Sequence, residues 1–115
     1  MALRAAPGLK SVLFICSRNR LRSPTAEQVF AEWPDLETAS AGLAPDADEV
    51  LTPEHLDGVS IVFVMEKAHL RRLKSRFAAH LKGIKVVCLN IPDDYTFMQP
   101  ELIALLKARV TPHLR

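Results

Sequence analysis

The stretch "CSRNRLRSPTAE", Cys16 to Glu27, places one cysteine and three arginines (Arg18, Arg20, Arg22) in a short segment with no acid before Glu27. It follows directly on the apolar run "SVLFI" and leads into "SPTAEQVF", which reads as a helix start. A loop between a buried strand and a helix N-terminus can turn successive backbone N–H groups inward as an anion-binding nest. The Arg22 guanidinium can close that ring bidentately, so the cage would suit a tetrahedral oxyanion held by Ser17, Arg18, Asn19, Arg20, Leu21, Arg22 and Ser23. A thiol at its floor is favoured as thiolate, because helix N-termini and nearby cations bring cysteines from ~8.5 down to about 3.5–7.5. Cys16 is therefore a candidate nucleophile toward phosphorus, with the cage stabilising the charge that develops on the equatorial oxygens. The bland alternative is a buried strand-end cysteine beside solvated arginines.

The elements that must position this loop can be read from period and punctuation. Val12 to Ile15 form an apolar run rich in β-formers and too short for a helix, so residues 11–16 are expected as a buried strand. Ser23 is expected as N-cap and Pro24 at the first helical position, with Ala26, Val29, Phe30 and Trp33 on the inner stripe until Pro34. "LETAS" suggests a second strand ending at Gly42, and residues 43–57, rich in acids and holding two prolines, read as loop with at most a turn of helix. "VSIVFVM" is apolar on both faces, which suits the centre of a parallel sheet. Leu70, Leu73, Phe77 and Leu81 mark a helix closed by Gly83, "IKVVCLNI" a further strand that would bury Cys88, and Pro100 opens a last helix ending near Pro112. Alternation at this pitch predicts an α/β domain spanning 1–115, with residues 1–9 a flexible tail and about four parallel strands covered on both sides. In open sheets of this kind ligands bind beyond the carboxyl ends of the strands, where the Cys16 loop lies.

Bulk properties narrow the functional classes. The chain has 115 residues, the size of one small domain, and its longest apolar runs are far shorter than the ~18 residues of a membrane span. No signal-peptide pattern is visible in "MALRAAPGLK", so a cytoplasmic chain is expected. Two cysteines, with no C-x-x-C pair and no His/Cys cluster, favour neither a disulfide scaffold nor a metal site, and no cofactor is expected. The net charge of +2 is small but unevenly spread, with acids and no Lys or Arg from Asp35 to Asp57, and the reverse from Lys67 to Lys85. The basic helix there invites a nucleic-acid reading, yet charge runs on amphipathic helices are usually solvated faces, and no nucleic-acid motif or interleaved aromatics accompany it.

The segment "VLFICSRNRLRSPTAEQVF" resembles the signature of low-molecular-weight protein tyrosine phosphatases, a strand followed by C-x5-R-S-P and a helix beginning Ala-Glu. "ASAG" at Ala39–Gly42, "VSIVFVMEKAHLRRL" and "IPDDY" at Ile91–Tyr95 are similar to further blocks of that family. The resemblance implies a three-layer sandwich with a four-stranded parallel sheet and flavodoxin-like winding. It implies phosphomonoester hydrolysis through a phosphocysteine on Cys16, phosphate binding by Arg22, and a shaping network at Asn19, Ser23, Ser40 and His69. It also implies a general acid at Asp93, with Asp94 standing where the family has proline; the two adjacent carboxylates leave that assignment open. The implied partner is a phosphorylated substrate, either a phosphoprotein or a small phosphomonoester.

Several residues depart from that pattern. Leu21 stands where many members carry a second cysteine, so Cys16 has no neighbouring thiol to protect it from over-oxidation. Residues 43–57 lack any aromatic, which leaves Tyr95, and after it Phe97, as the rings beside the site and puts tyrosine specificity in question. Arg18 and Arg20 replace small or apolar residues. They are expected as solvated side chains; the other reading is that they extend the positive field toward a more anionic substrate. Two rival functions stay open: a non-catalytic phosphate, phosphoprotein or RNA-binding module on the same cage, and a thiol-dependent arsenate reductase, for which Cys88 is the only spare thiol.

Overall fold

Val12, Leu13, Phe14 and Ile15 are all essentially inaccessible to solvent, as expected for a strand with helices on both its faces. In the computed structural model, which describes residues 10–114, this strand is β1 (Lys10–Cys16) and it lies at the centre of a four-stranded sheet. The tail expected over residues 1–9 lies outside the described residues. β2 (Leu36–Gly42) flanks β1 on one side, β3 (Ile61–Val64) on the other, and β4 (Lys85–Cys88) forms the far edge, giving the order β2-β1-β3-β4 with every pairing parallel. The register places Cys16 beside Gly42 and Ile15 beside Val64.

Because side chains alternate along a strand, β1 feeds two separate cores. Val12, Phe14 and Cys16 face α1 (Arg22–Phe30) and α4 (Pro100–Val110), where Phe14 stacks between Phe30 and Phe63 at 5.8 and 5.4 Å. Leu13 and Ile15 face α3 (Lys67–Phe77) and the one-turn α2 (Pro53–Leu56) through Leu73, Phe77 and Leu56. The three-layer arrangement expected from the sequence is thus present.

The structure corrects four local expectations. Leu21, not Ser23, occupies the N-cap of α1, so Ser23 and Pro24 both fall inside the first turn, where proline is tolerated because its missing N–H would have no helical acceptor. The same helix stops at Phe30, and Trp33 is carried on a turn whose amide bonds to Phe30 O at 3.1 Å, consistent with Pro34 disfavouring helical geometry at the residue before it. α3 ends at Phe77 and passes into a single 3-10 turn, Ala78–His80; Gly83, at φ +78°, serves the turn into β4 and does not cap the helix. Cys88, expected in the core, is only half-buried, because β4 is an edge strand and is covered less completely than β1 or β3.

Candidate active site

All four strands deliver a segment to one end of the sheet. The Cys16–Arg22 loop follows β1, the acidic residues Asp46 and Asp48 follow β2, Glu66 and His69 follow β3, and Ile91 and Asp93 follow β4. A cavity of about 530 Å³ opens there, lined by Cys16, Ser17, Arg18, Arg20, Leu21, Arg22, Glu66 and Asp93.

Cys16 ends β1 and is 3% exposed, so only a narrow face of it meets the cavity. Two hydrogen bonds converge on its sulfur: the Asn19 amide donates at 3.2 Å, and Ser23 Oγ lies at 3.0 Å. Asn19 Nδ2 donates to the same Ser23 oxygen at 2.9 Å, so the hydroxyl is held against the sulfur, where it can accept from a thiol or donate to a thiolate. This is possible because Asn19 adopts φ +57°, a left-handed conformation that asparagine tolerates and that folds the loop back over the sulfur. Among the described residues, the amides of Arg18, Arg20, Leu21, Arg22 and Ser23 donate to no protein acceptor. Loop and helix N-terminus therefore present a set of uncommitted donors next to the thiol.

Arg22 is 4% exposed yet charged, and its compensation is visible. Nη1 donates to Glu66 Oε2 and, at 2.8 Å, to the carbonyl of Ile91, while Nε stands 3.7 Å from Asp93 Oδ1. With Nη1 fixed, Nε and Nη2 remain for a bound oxyanion. The hydrogen bond from Arg22 is the main reason that the Glu66 carboxyl is held below its usual range. Glu66 was not singled out in the sequence; its signal was its position, an acid directly after a central strand and at the N-cap of a basic helix.

His69 is buried and bonded at both nitrogens. Nδ1 accepts the Glu66 amide at 3.1 Å, so the ring proton lies on Nε2, which is 3.2 Å from Ser17 Oγ. Burial, reinforced by the Arg22 charge, lowers its pKa to about 4, so the ring is neutral and in one tautomer at ordinary pH.

The remaining expected residues divide clearly. Both Asp93 and Asp94 are exposed; Asp93 lines the cavity and approaches Arg22, whereas Asp94 is not part of the lining. Tyr95 packs against the core of α1 and α4, Phe97 is 47% exposed, and neither lines the cavity. Ser40 Oγ donates to Glu27 of α1, fastening β2 to the helix behind the loop. Arg18 and Arg20 are not simply solvated: Arg20 Nε donates to Asp48 Oδ1 at 3.1 Å and its Nη2 to the Asp46 carbonyl at 3.1 Å, and Arg18 Nε lies 3.8 Å from Asp46 Oδ2. The backbones run together as well, Ala44 N to Ser17 O at 2.8 Å and Asp48 N to Arg18 O at 3.0 Å. Gly42 permits this approach, since a Cβ there would meet Ser17 O at 2.5 Å.

This architecture recurs in solved structures. YwlE arginine phosphatase from Geobacillus stearothermophilus superposes with a TM-score of 0.72 at 22% identity, covering 91% of this chain and 92% of that one. Vibrio vulnificus Wzb in complex with benzylphosphonate gives 0.72 at 23% identity, over 92% and 97%. The low-molecular-weight protein tyrosine phosphatase from T. tengcongensis gives 0.70 at 24% identity, over 90% and 99%. The chain has the low-molecular-weight protein tyrosine phosphatase fold. No protein-family profile matches the sequence, and no curated protein does. Within the fold, the cavity at the carboxyl ends of the strands is the one that holds Cys16. No helix among the described residues is long and apolar enough to cross a membrane, and no group of three or more metal-ligating side chains occurs among them.

Proposed function

We propose that the protein is a cysteine-dependent phosphomonoester hydrolase of the cytoplasm, acting through a phosphocysteine. The observation that carries the reading is a cysteine sulfur that accepts the Asn19 N–H, is hydrogen-bonded to the Ser23 hydroxyl, and opens into a cavity walled by Arg22 and Asp93. Cys16 Sγ attacks phosphorus while Arg22 Nε and Nη2 and the uncommitted loop amides hold the equatorial oxygens. The bond from phosphorus to the leaving oxygen breaks, and that oxygen takes the proton of the Asp93 carboxylic acid. Water then attacks the phosphocysteine and gives a proton to the Asp93 carboxylate; the S–P bond breaks, releasing phosphate and restoring the thiolate. Glu66 and His69 are positioning residues, the first for Arg22 and the second, through Ser17, for the loop.

The fold neighbours support a phosphatase on two kinds of phosphoryl group, since they include both a tyrosine phosphatase and an arginine phosphatase. Among the described residues, the cavity wall offers Leu21 as its one large apolar side chain and no ring, which argues against selection of phosphotyrosine by aromatic packing. Hydrolysis of p-nitrophenyl phosphate by the wild type, lost on Cys16→Ser, tests the reading. Retained turnover in Cys16→Ser contradicts it, and phosphate binding without any turnover in the wild type favours the binding-module alternative.

A further inference from the structure

Three arginines contribute to the wall of the cavity, but only Arg22 is tied to the carboxylates that share it. Among the described residues, Arg18 and Arg20 form no ion pair with Glu66 or Asp93 and instead approach Asp46 and Asp48, which are not part of the lining. Each arginine engages these acids through Nε, Arg20 adding Nη2 to a carbonyl. Among the described residues, Nη1 of Arg20 and both Nη groups of Arg18 make no hydrogen bond. The acid loop therefore braces Arg20 by hydrogen bonds and Arg18 by a looser ion pair, in the wall of the cavity that Cys16 also lines, without using all their donors.

These ion pairs are solvent-exposed, the side chains being 45–62% accessible, and the Arg18 pair is long at 3.8 Å. Pairs of this kind contribute little to stability, so their placement at a cavity mouth is better explained by what the mouth receives. A second anion on the substrate would find donors on the Arg18 and Arg20 side and repulsion on the Glu66 and Asp93 side, which fixes its direction.

We propose that Arg18 and Arg20 form a second anion subsite, so that the preferred substrates are phosphomonoesters carrying a further phosphate or carboxylate close to the scissile group. The inference rests on the phosphatase reading for the place of the first phosphoryl group, but its test does not require turnover. Calorimetric titration of the wild-type protein compares benzylphosphonate with its ortho, meta and para carboxylate derivatives and with the corresponding bisphosphonates. At least one carboxylate or bisphosphonate isomer is expected to bind about tenfold more tightly than the parent. The larger gain identifies whether carboxylate or phosphate is the natural second anion. That ratio should fall to about one in Arg18→Ala/Arg20→Ala, and shrink as salt is raised from about 0.02 to about 0.5 M. Since Arg20 helps hold the acid loop, Arg18→Ala alone provides a second reading, with a partial loss of the ratio expected. Parent binding equal to or tighter than every derivative overturns the proposal, as does a ratio that survives the double substitution in folded protein. Absence of p-nitrophenyl phosphate turnover with the ratio intact would instead strike only the catalytic reading.

Discussion

Arg22 Nη1 is fixed by two acceptors, the carboxylate of Glu66 and the carbonyl of Ile91, so a fully buried guanidinium reaches the cavity with one edge committed and the other aimed at the substrate position. The acceptors come from the ends of β3 and β4, and the guanidinium comes from α1, so the phosphate-binding geometry depends on three separate elements packing correctly.

Replacing Glu66 by Ala should therefore damage catalysis without removing any group that touches the substrate. With Nη1 released at one acceptor, misplacement by about 1 Å corresponds to a loss on the order of 10²-fold in kcat/KM. Glu66→Gln, which keeps an oxygen acceptor, should recover part of that loss. Steady-state kinetics on p-nitrophenyl phosphate read both variants, and an unchanged kcat/KM in Glu66→Ala would mean that Ile91 alone suffices to hold Arg22.

Asp93→Asn should slow the reaction in a way that depends on the leaving group. General acid catalysis contributes about 10²–10⁴-fold where the departing oxygen is basic, and far less for p-nitrophenolate, which leaves without help. A series of aryl and alkyl phosphates should show a much steeper dependence on leaving-group basicity in the variant. Parallel slopes would move the acid role away from Asp93, and Asp94→Asn is the matched control.

His69 gives a signature in stability against pH. Its pKa is about 4 in the folded chain against 6.5 unfolded, so the unfolded state binds the proton more readily. The stability associated with a neutral His69 is complete above pH 6.5 and is lost as pH falls toward about 4. Urea unfolding at several pH values should show the wild type weakening across that window, with a flatter slope in His69→Asn. Equal slopes would indicate that the ring is not held neutral. The same shift implies that His69 adds no ionisation to the rate profile between pH 5.5 and 8, because it is already neutral there.

The sequence made the strand, the thiol loop and the helix behind it legible because each is encoded locally. Val12 to Ile15 announce a doubly covered strand by composition, and Cys16, Arg22 and Ser23 lie within eight residues of one another in the sequence. Asp93 was legible only through the resemblance of "IPDDY" to the family's acid loop, and of the two adjacent acids it is the one that lines the cavity. What escaped were partners far apart in the chain. The Arg22 to Glu66 contact spans 44 residues and the Arg20 to Asp48 contact 28, and no periodicity reports such pairings. The uneven charge of residues 35–57 was visible, but nothing in the sequence said that these acids would fold back onto the two arginines of the loop. Ser23 misled in an instructive way: its type suits a helix cap, but packing against Cys16 placed the hydroxyl inside the first turn and turned it to the sulfur. Helix ends at Trp33 and Gly83 were overrun for a similar reason, since apolar spacing continues through turns that still pack on the core.

The most direct test of the central claim is to quench a reaction of wild-type protein with an aryl phosphate in acid within the first turnover and to map the phosphoryl group by mass spectrometry. The account predicts a phosphoryl adduct on Cys16, enriched when Asp93→Asn slows its hydrolysis, and absent from Cys88. Turnover with no adduct on Cys16, or turnover that persists in Cys16→Ser, would contradict it.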